Sequence, residues 1–422
     1  MHYIADLHIH SKYSRACSPR LELENIAFWC ARKGINIVST GDFTHPAWFS
    51  DIKNKLELSD NGLYKLKNSL TMTASPVKFI LGTEISSIYK QGDKVRRIHT
   101  CIYFSKIKDV EKFITCLEKK GCNLKADGRP IVGLSVKELA KICFDISDQV
   151  LVIPAHAWTP WFSVFGSKSG FNSLEECFEE MTPYIYSIET GLSSDPAMNW
   201  RLSQLDKITL VSNSDAHSLE NLGREANVFD LANSMDLYSQ ITRILREKDR
   251  ENFLYTIEFF PEEGKYHFDG HALCKTRLSP AETKKNKGLC PACKKPLTIG
   301  VLNRVEELAN RKEGEKPQNA ITYKSLVPLA EIIAEALDQG KNTNGVVREY
   351  DNLIAKGGSE FEILLNLDYK ELAKITLPEI VEGIKRVREG KLIVEPGYDG
   401  VYGTVSIFSD KERKGFEQKK LL

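Results

Sequence analysis

Seven short, β-branched apolar segments recur through the first half of the chain: Tyr3–Leu7, Ile35–Ser39, Val77–Leu81, Thr100–Phe104, Val150–Ile153, Ile185–Ile188 and Ile208–Val211. Most are separated by stretches of helical periodicity, such as Leu23–Lys33, Val136–Phe144 and Leu174–Met181. Strands that alternate with helices predict parallel pairing through right-handed crossovers. Seven of them within about 220 residues predict an α/β barrel rather than an open sheet.

The residues at the ends of these segments narrow the chemistry. His8-Ile9-His10 follows the first, Asp42 and His45 the second, and Glu84 the third; His99 precedes the fourth, His156 follows the fifth, and Asp215 and His217 follow the seventh. Residues two apart on a strand share a face, so both histidines of an HxH can meet one ion. Six of the nine histidines stand at such ends, and in parallel α/β folds that edge is where sites are built. A set of His, Asp and Glu without thiolates suits Zn, Mn or Fe, with Mg as a stimulating ion at most. Eight donors (His8, His10, Asp42, Glu84, His99, His156, Asp215 and His217) exceed the needs of one ion, so two or three metals are expected. That arrangement serves in-line attack on phosphate esters. Glu189, closing the sixth segment, is a candidate carboxylate behind a ligand or against a substrate base.

The succession HIH, TGD, GTE, His99, PAH and DAH resembles the PHP (polymerase and histidinol phosphatase) superfamily over about residues 1–230. The resemblance implies a distorted seven-stranded β/α barrel with a trinuclear metal site, those eight residues as ligands, and Asp215 and His217 at the reacting centre. Two departures stand out. Arg15 occupies a position where many members carry His or Asp, and Gly41-Asp42 replaces a TDH motif. An arginine does not ligate metal, so Arg15 is expected to hold a phosphate.

Past residue 264 the character changes. Residues 265–325 hold 13 Lys and Arg against 6 Asp and Glu, although the whole chain carries a net charge of only +1. Within this stretch His271-x2-Cys274-x15-Cys290-x2-Cys293 has the two-plus-two spacing of a tetrahedral structural zinc site, with His267 as an alternative to His271. Cys17, Cys30, Cys101, Cys116, Cys122, Cys143 and Cys177 lack ligand spacing and read as core or surface thiols. Ten cysteines without an N-terminal export signal, and no apolar run of membrane-spanning length, are expected of a cytoplasmic protein. Helical patterns then lead to a Gly-rich hairpin, PGYDGVYGTVSIF, and a basic tail. The expected domains are a barrel at 1–240, a zinc module at 241–300, a helical DNA-binding domain at 301–396, and a hairpin with tail at 397–422.

A PHP-type barrel followed by HxxC…CxxC, helices and PGYDGVYG resembles endonuclease Q across nearly the whole chain, as do HIHSKYSRA, GFNSLEECF and SNSDAHSLENLGREAN. The resemblance implies a DNA repair endonuclease that cuts 5′ to deaminated bases (uracil, hypoxanthine, xanthine) or abasic sites in single or double strands, leaving 3′-hydroxyl and 5′-phosphate ends. A deaminated base in duplex must be extruded to be read. Trp158, Trp161, Phe162 and Phe165, directly after His156, are candidates to stack on it or fill its gap, or else to be core aromatics. Ser167, Lys168, Ser169 and Gly170 are candidates for phosphate or base contacts. The alternative reading is a PHP-type phosphatase or exonuclease acting on small phosphoesters or DNA ends. The tail Glu417–Leu422 faintly matches a sliding-clamp motif without its terminal aromatics.

Overall fold

The computed structural model describes residues 1–67, 77–232 and 236–413, so the tail features at 417–422 lie outside the described residues. The chain divides into two units. The first comprises Met1–Ala31, Ile35–Ile257 and Val301–Tyr323, the second Arg32–Gly34, Glu258–Gly300 and Lys324–Leu422.

In the first unit, β1 (His2–Asp6), β2 (Ile37–Ser39) and β5 (Lys78–Gln91) run parallel, with Ala5 opposite Ile37 and Ile37 opposite Lys78. Helix α1 (Leu23–Lys33) makes the first crossover, and β3 (Leu56–Leu58) and β4 (Tyr64–Leu66) extend the sheet beyond β5. The uniformly parallel pairing expected from the sequence stops there. Strand β6 (Lys94–Phe104) folds back on β5 as a long antiparallel hairpin, from Leu81↔Phe104 to Gln91↔Lys94. Only Gly92 and Asp93 separate the two strands, and Gly92 supplies the positive φ of +59° that a two-residue turn requires. A crossover needs a dozen residues or more, which this connection lacks. Strand β8 (Leu151–Pro154) is antiparallel to β6, and β7 (Ile131–Val132) lies parallel beside β5. Strands β9 (Ser187–Glu189) and β10 (Thr209–Val211) pair in parallel with each other, while β11 (Ala226–Asp230) is antiparallel to both β1 and β12 (Phe253–Glu258).

The strands are apolar because their side chains meet one core. Ala5, Leu7, Ile37, Ile80, Tyr103, Ile153 and Val211 pack there with Tyr238, Ile241 and Leu245 of the helix Leu237–Glu247. The single O–H of Tyr238 lies between the carbonyls of Tyr103 (2.8 Å) and Gln149 (2.9 Å), so this buried donor is satisfied. At the other end of the strands, Asp42, His156 and Asp215 adopt φ of +47°, +29° and +46°. Left-handed backbone at non-glycine residues carries strain that the surrounding packing must hold, and three ligand candidates carry it here.

Val301–Tyr323, grouped by composition with the basic stretch, belongs to the first unit. Two of its cations are committed to holding it there. Arg304 donates to the carbonyls of Phe165 (3.1 Å) and Phe171 (3.0 Å), and Arg311 pairs with Asp206 (2.6 Å). They are structural cations rather than part of a free basic face.

The second unit carries a small hairpin, β13 (Asp269–His271) with β14 (Thr276–Leu278), then a short helix, Pro280–Lys285, opened by the reciprocal Ser279–Glu282 capping box. Helices follow at Leu329–Leu337, Asn344–Gly357, Tyr369–Ile375 and Pro378–Glu389, with Ile332, Ile333, Val346, Leu353, Ile380 and Ile384 buried. The Gly-rich segment, expected to turn back on itself, supplies the loop and second strand of a hairpin whose first strand precedes it, Ile393–Glu395 against Thr404–Ser406. Among the described residues no helix is long and apolar enough to cross a membrane.

Candidate metal centres

The strand ends of the first unit bring two donor groups together. His8, His10, Glu84 and Asp215 offer ligand atoms that all lie within 4.8 Å of one another, and so do Glu84, His99 and His156. Glu84, on β5, belongs to both. Its Oε2 stands 3.6 Å from His8 Nε2 and 3.3 Å from His10 Nε2, while its Oε1 stands 2.8 Å from His99 Nδ1 and 3.2 Å from His156 Nε2. Asp215 Oδ1 completes the first group, 3.0 Å from His10 Nε2 and 3.7 Å from His8 Nε2. One carboxylate turned toward two donor sets would serve ions held at either of them.

The residues behind the donors fit that reading. His8 Nδ1 lies 3.1 and 3.0 Å from the two oxygens of Glu189, which leaves its buried Nε2 without a hydrogen-bond partner and facing the centre. Asp42 takes His10 Nδ1 (3.0 Å), and Thr159 Oγ1 takes His156 Nδ1 (3.2 Å). Imidazoles that ligate metal characteristically have their other nitrogen fixed by such a group. Glu189 is itself pinned by the Asn213 amide (2.8 Å) and the His156 N–H (2.7 Å). Asp42 receives the Ser11 N–H (2.6 Å) and the Ser11 and Ser14 hydroxyls (2.7 and 2.9 Å).

Burial alone would raise the pKa of Glu84, but His99, Arg129 and His8 outweigh it and hold the carboxyl well below its ordinary range. Burial pushes the His99 imidazole down to about 4, against the opposing pull of Glu84.

Of the other sequence candidates, His217 sits beside His10, rings 4.7 Å apart, with its Nδ1 on the carbonyl of Asp215 (2.8 Å). His45 stacks on Tyr13 at 4.3 Å. Arg15 is exposed, and its backbone N–H reaches Asp127 (3.3 Å). Trp158 and Phe165 are fully buried and packed on each other, with the indole N–H on Asn199 (2.8 Å), so they are core aromatics rather than base-stacking ones. Trp161 is 48% exposed. Arg97 lies over both Trp161 (5.1 Å) and Phe162 (5.8 Å), and Phe162 packs on His99 (4.6 Å). Ser169 is buried and holds this loop, accepting from the Phe162 N–H and donating to the Arg97 carbonyl; Ser167 and Lys168 are exposed beside Gly170.

Arg129 escaped the sequence reading. Its Nη1 donates to Glu84 Oε2 at 3.0 Å. It stands in a Gly-Arg-Pro stretch away from any strand-end motif, so no local signal pointed to it.

In the second unit, His271, Cys274, Cys290 and Cys293 converge. Cys293 Sγ stands 3.6 Å from His271 Nδ1, the separation that zinc bonds of about 2.3 Å to sulfur and about 2.0 Å to nitrogen impose at a tetrahedral angle. The Thr276 hydroxyl and the backbone N–H groups of Cys293 and Ala292 favour the thiolate of Cys290 and bring its pKa down to about 6. His267 lies outside the group, buried against Phe268.

Comparison with known proteins extends these observations. A family model described as the MJ0043 C-terminal domain matches residues 328–391. The uncharacterized protein MJ0043 of Methanocaldococcus jannaschii is 34% identical over 258 residues, covering 61% of this chain, and the chain spans about a third (32%) of that relative's length. The uncharacterized protein YqxK of Bacillus subtilis is 27% identical over 95% of this chain and 98% of its own. Among solved structures, the lesion-specific endonuclease PfuEndoQ of Pyrococcus furiosus superposes with a TM-score of 0.84 at 29% identity, over 98% of this chain and 99% of that one. An endonuclease Q complex with a 27-mer duplex carrying an abasic lesion at the active site does so with a TM-score of 0.83 at 30% identity, over 98% of each chain. A mixed α/β fold built around a buried His–carboxylate cluster, with this likeness over the full length, places the protein among DNA-cleaving enzymes. The chain belongs to the endonuclease Q family.

Proposed function

We propose that this protein nicks DNA 5′ to a deaminated or abasic nucleotide, in single or double strands, leaving 3′-hydroxyl and 5′-phosphate ends. The first unit is then a distorted PHP barrel holding two or three Zn, Mn or Fe ions through His8, His10, Glu84, His99, His156 and Asp215, with two of the residues expected as ligands standing outside the donor groups, Asp42 behind His10 and His217 beside it. The second holds one structural zinc between its hairpin and the Cys290–Cys293 knuckle. The observation that carries the reading is Glu84, whose two oxygens face separate donor groups. The similarity to a lesion-bound endonuclease Q supports the substrate class.

When bound, divalent ions at such a pair supply the positive charge that activates an attacking water and stabilises the departing 3′-oxygen. The protein's own contribution is rigidity. Glu189 and Asp42 hold His8 and His10 in one tautomer and orientation, so their Nε2 atoms are aimed before any ion arrives. Trp161 and Phe162 are the aromatics left to meet an extruded base, on a loop fastened to β6 by the His99 N–H on the Phe162 carbonyl (3.0 Å).

The test is an end-labelled duplex with one internal deoxyuridine or abasic site, incubated with protein and Mn²⁺ or Zn²⁺. A single nick 5′ to the lesion supports the reading. Trimming from the ends, or release of free phosphate, would sink it.

A further inference from the structure

The segment Asp127–Pro130 is fastened to its surroundings at two points and closed by a bond of its own. Gly128 donates its N–H to the Tyr13 carbonyl (3.0 Å), the Ser86 N–H donates to the Pro130 carbonyl (3.0 Å), and Asp127 accepts from the Arg129 N–H (3.0 Å). Gly128 presses so closely on the loop behind His10 that a Cβ there would lie 2.4 Å from Asp42 Oδ2 and 2.5 Å from Ser14 Oγ. The backbone of Arg129 is therefore fixed at the rim of the metal centre, and its side chain carries the remaining freedom.

That side chain is 24% exposed, while the Glu84 carboxylate it touches is 0% exposed. The oxygen it holds, Oε2, is also the one facing His8 and His10. A divalent cation at that oxygen would compete with the guanidinium for it, because like charges repel and the guanidinium does not give up its proton. An ion held by His8, His10 and Asp215 would loosen the hold of Arg129 on Oε2, and the anchored backbone would keep the freed guanidinium beside the centre. Its planar fork of donors matches the oxygens of a phosphate.

We infer that Arg129 is a catalytic residue that holds Glu84 in the metal-free protein and, once metal binds, grips a non-bridging oxygen of the scissile phosphate. This assigns to Arg129 the phosphate-holding role that sequence position offered to Arg15. The inference rests on the phosphodiester-cleaving reading above.

The experiment compares Arg129→Ala and Arg129→Lys with wild type in the Mn²⁺-loaded full-length protein. Three quantities are read: single-turnover nicking of abasic duplex, Mn²⁺ affinity, and affinity for inorganic phosphate. Loss of one preorganised donor costs about 10²–10³-fold in rate, so Arg129→Ala should fall by that much and Arg129→Lys by less. Mn²⁺ affinity should be unchanged or tighter, since a competitor for Glu84 has gone, and phosphate affinity should fall about tenfold or more. Nicking within threefold of wild type overturns the inference, as does loss of Mn²⁺ in step with rate in both variants, which would make Arg129 a partner of Glu84 only. If the wild type nicks no lesion duplex, the function proposed above fails. Phosphate binding that still depends on Arg129 would then sustain the anion-gripping role on its own, and phosphate binding indifferent to Arg129 would end both.

Discussion

Two histidines on one strand end differ in what stands behind them, and both differences bear on chemistry. His8 leans on Glu189, and His10 leans on Asp42. Asp215→Asn removes a charged donor of the first group while keeping its shape. Single-turnover cleavage should fall by about 10³-fold or more, several kcal/mol of lost transition-state stabilisation. Lesion-duplex affinity should stay within a few-fold, because phosphate contacts elsewhere supply much of it. Measuring metal content beside the rate decides the point, and a variant near wild-type rate would remove Asp215 from the site. Glu189→Gln tests a residue that lies behind His8 and outside both donor groups. Losing the carboxylate behind His8 should weaken metal binding about 10- to 100-fold, with unfolding unchanged, as read by metal titration beside a melting curve. The same affinity in both proteins would make Glu189 a packing residue.

At the scale of elements, the zinc module and the helical bundle are held by different forces. The module is a small hairpin, a six-residue helix and a Cys-Pro-Ala-Cys knuckle. Its own core is too small to hold it, and a structural zinc can contribute about 10 kcal/mol or more. Cys290→Ser and Cys293→Ser should each lose one zinc equivalent and most DNA binding while hydrogen exchange in the first unit stays at wild-type levels. Unchanged DNA affinity after zinc loss would show that the module is not a DNA-binding element. The bundle instead depends on a buried charge. Glu360 is 5% exposed and takes the Tyr350 hydroxyl (2.7 Å), the Leu329 N–H (3.0 Å) and the Lys33 ammonium (3.0 Å). Burial would raise its pKa, but Lys33 and these hydrogen bonds lower it below its ordinary value. A carboxyl with a lowered folded pKa adds stability that is present above the unfolded pKa of about 4.3 and is lost as pH falls through the folded value. Amide exchange in Asn344–Gly357 should therefore accelerate as pH drops below about 4, after correction for the intrinsic rate. In Glu360→Gln this acid step should vanish, and the helix should be weaker at neutral pH by roughly 3 kcal/mol. An acid step that persists in the variant would assign it to other carboxyls.

For the whole molecule, the question is how a lesion reaches the metal centre. If the base is extruded, single-stranded deoxyuridine should be cut at least as fast as duplex, because unpairing and unstacking cost a few kcal/mol. Mismatched duplex should fall between them. Trp161→Ala should slow the duplex reaction more than the single-stranded one if the exposed ring fills the gap, and both equally if it stacks on the base. Inert single strands would overturn extrusion. The side chains that converge in the two donor groups and in the His-Cys cluster were legible in the chain because ligation restricts both residue type and local spacing: HIH, PAH, DAH and CPAC are each read within a few residues. Strand pairing is not local. The β5–β6 hairpin was missed because its outer end, Lys90–Arg97, is polar and hid the continuity of two long strands. Trp158 and Trp161 look equivalent in sequence three residues apart, yet packing buries one against Phe165 and leaves the other in solvent. The sequence by itself determined which side chains can bind metal. Only the tertiary structure decided that Glu84 faces two donor groups, that Glu189 and Asp42 stand behind the histidines, and that Arg129 reaches the centre. Those relations join residues far apart in the chain, and only the folding of the strands and loops puts them within bonding distance.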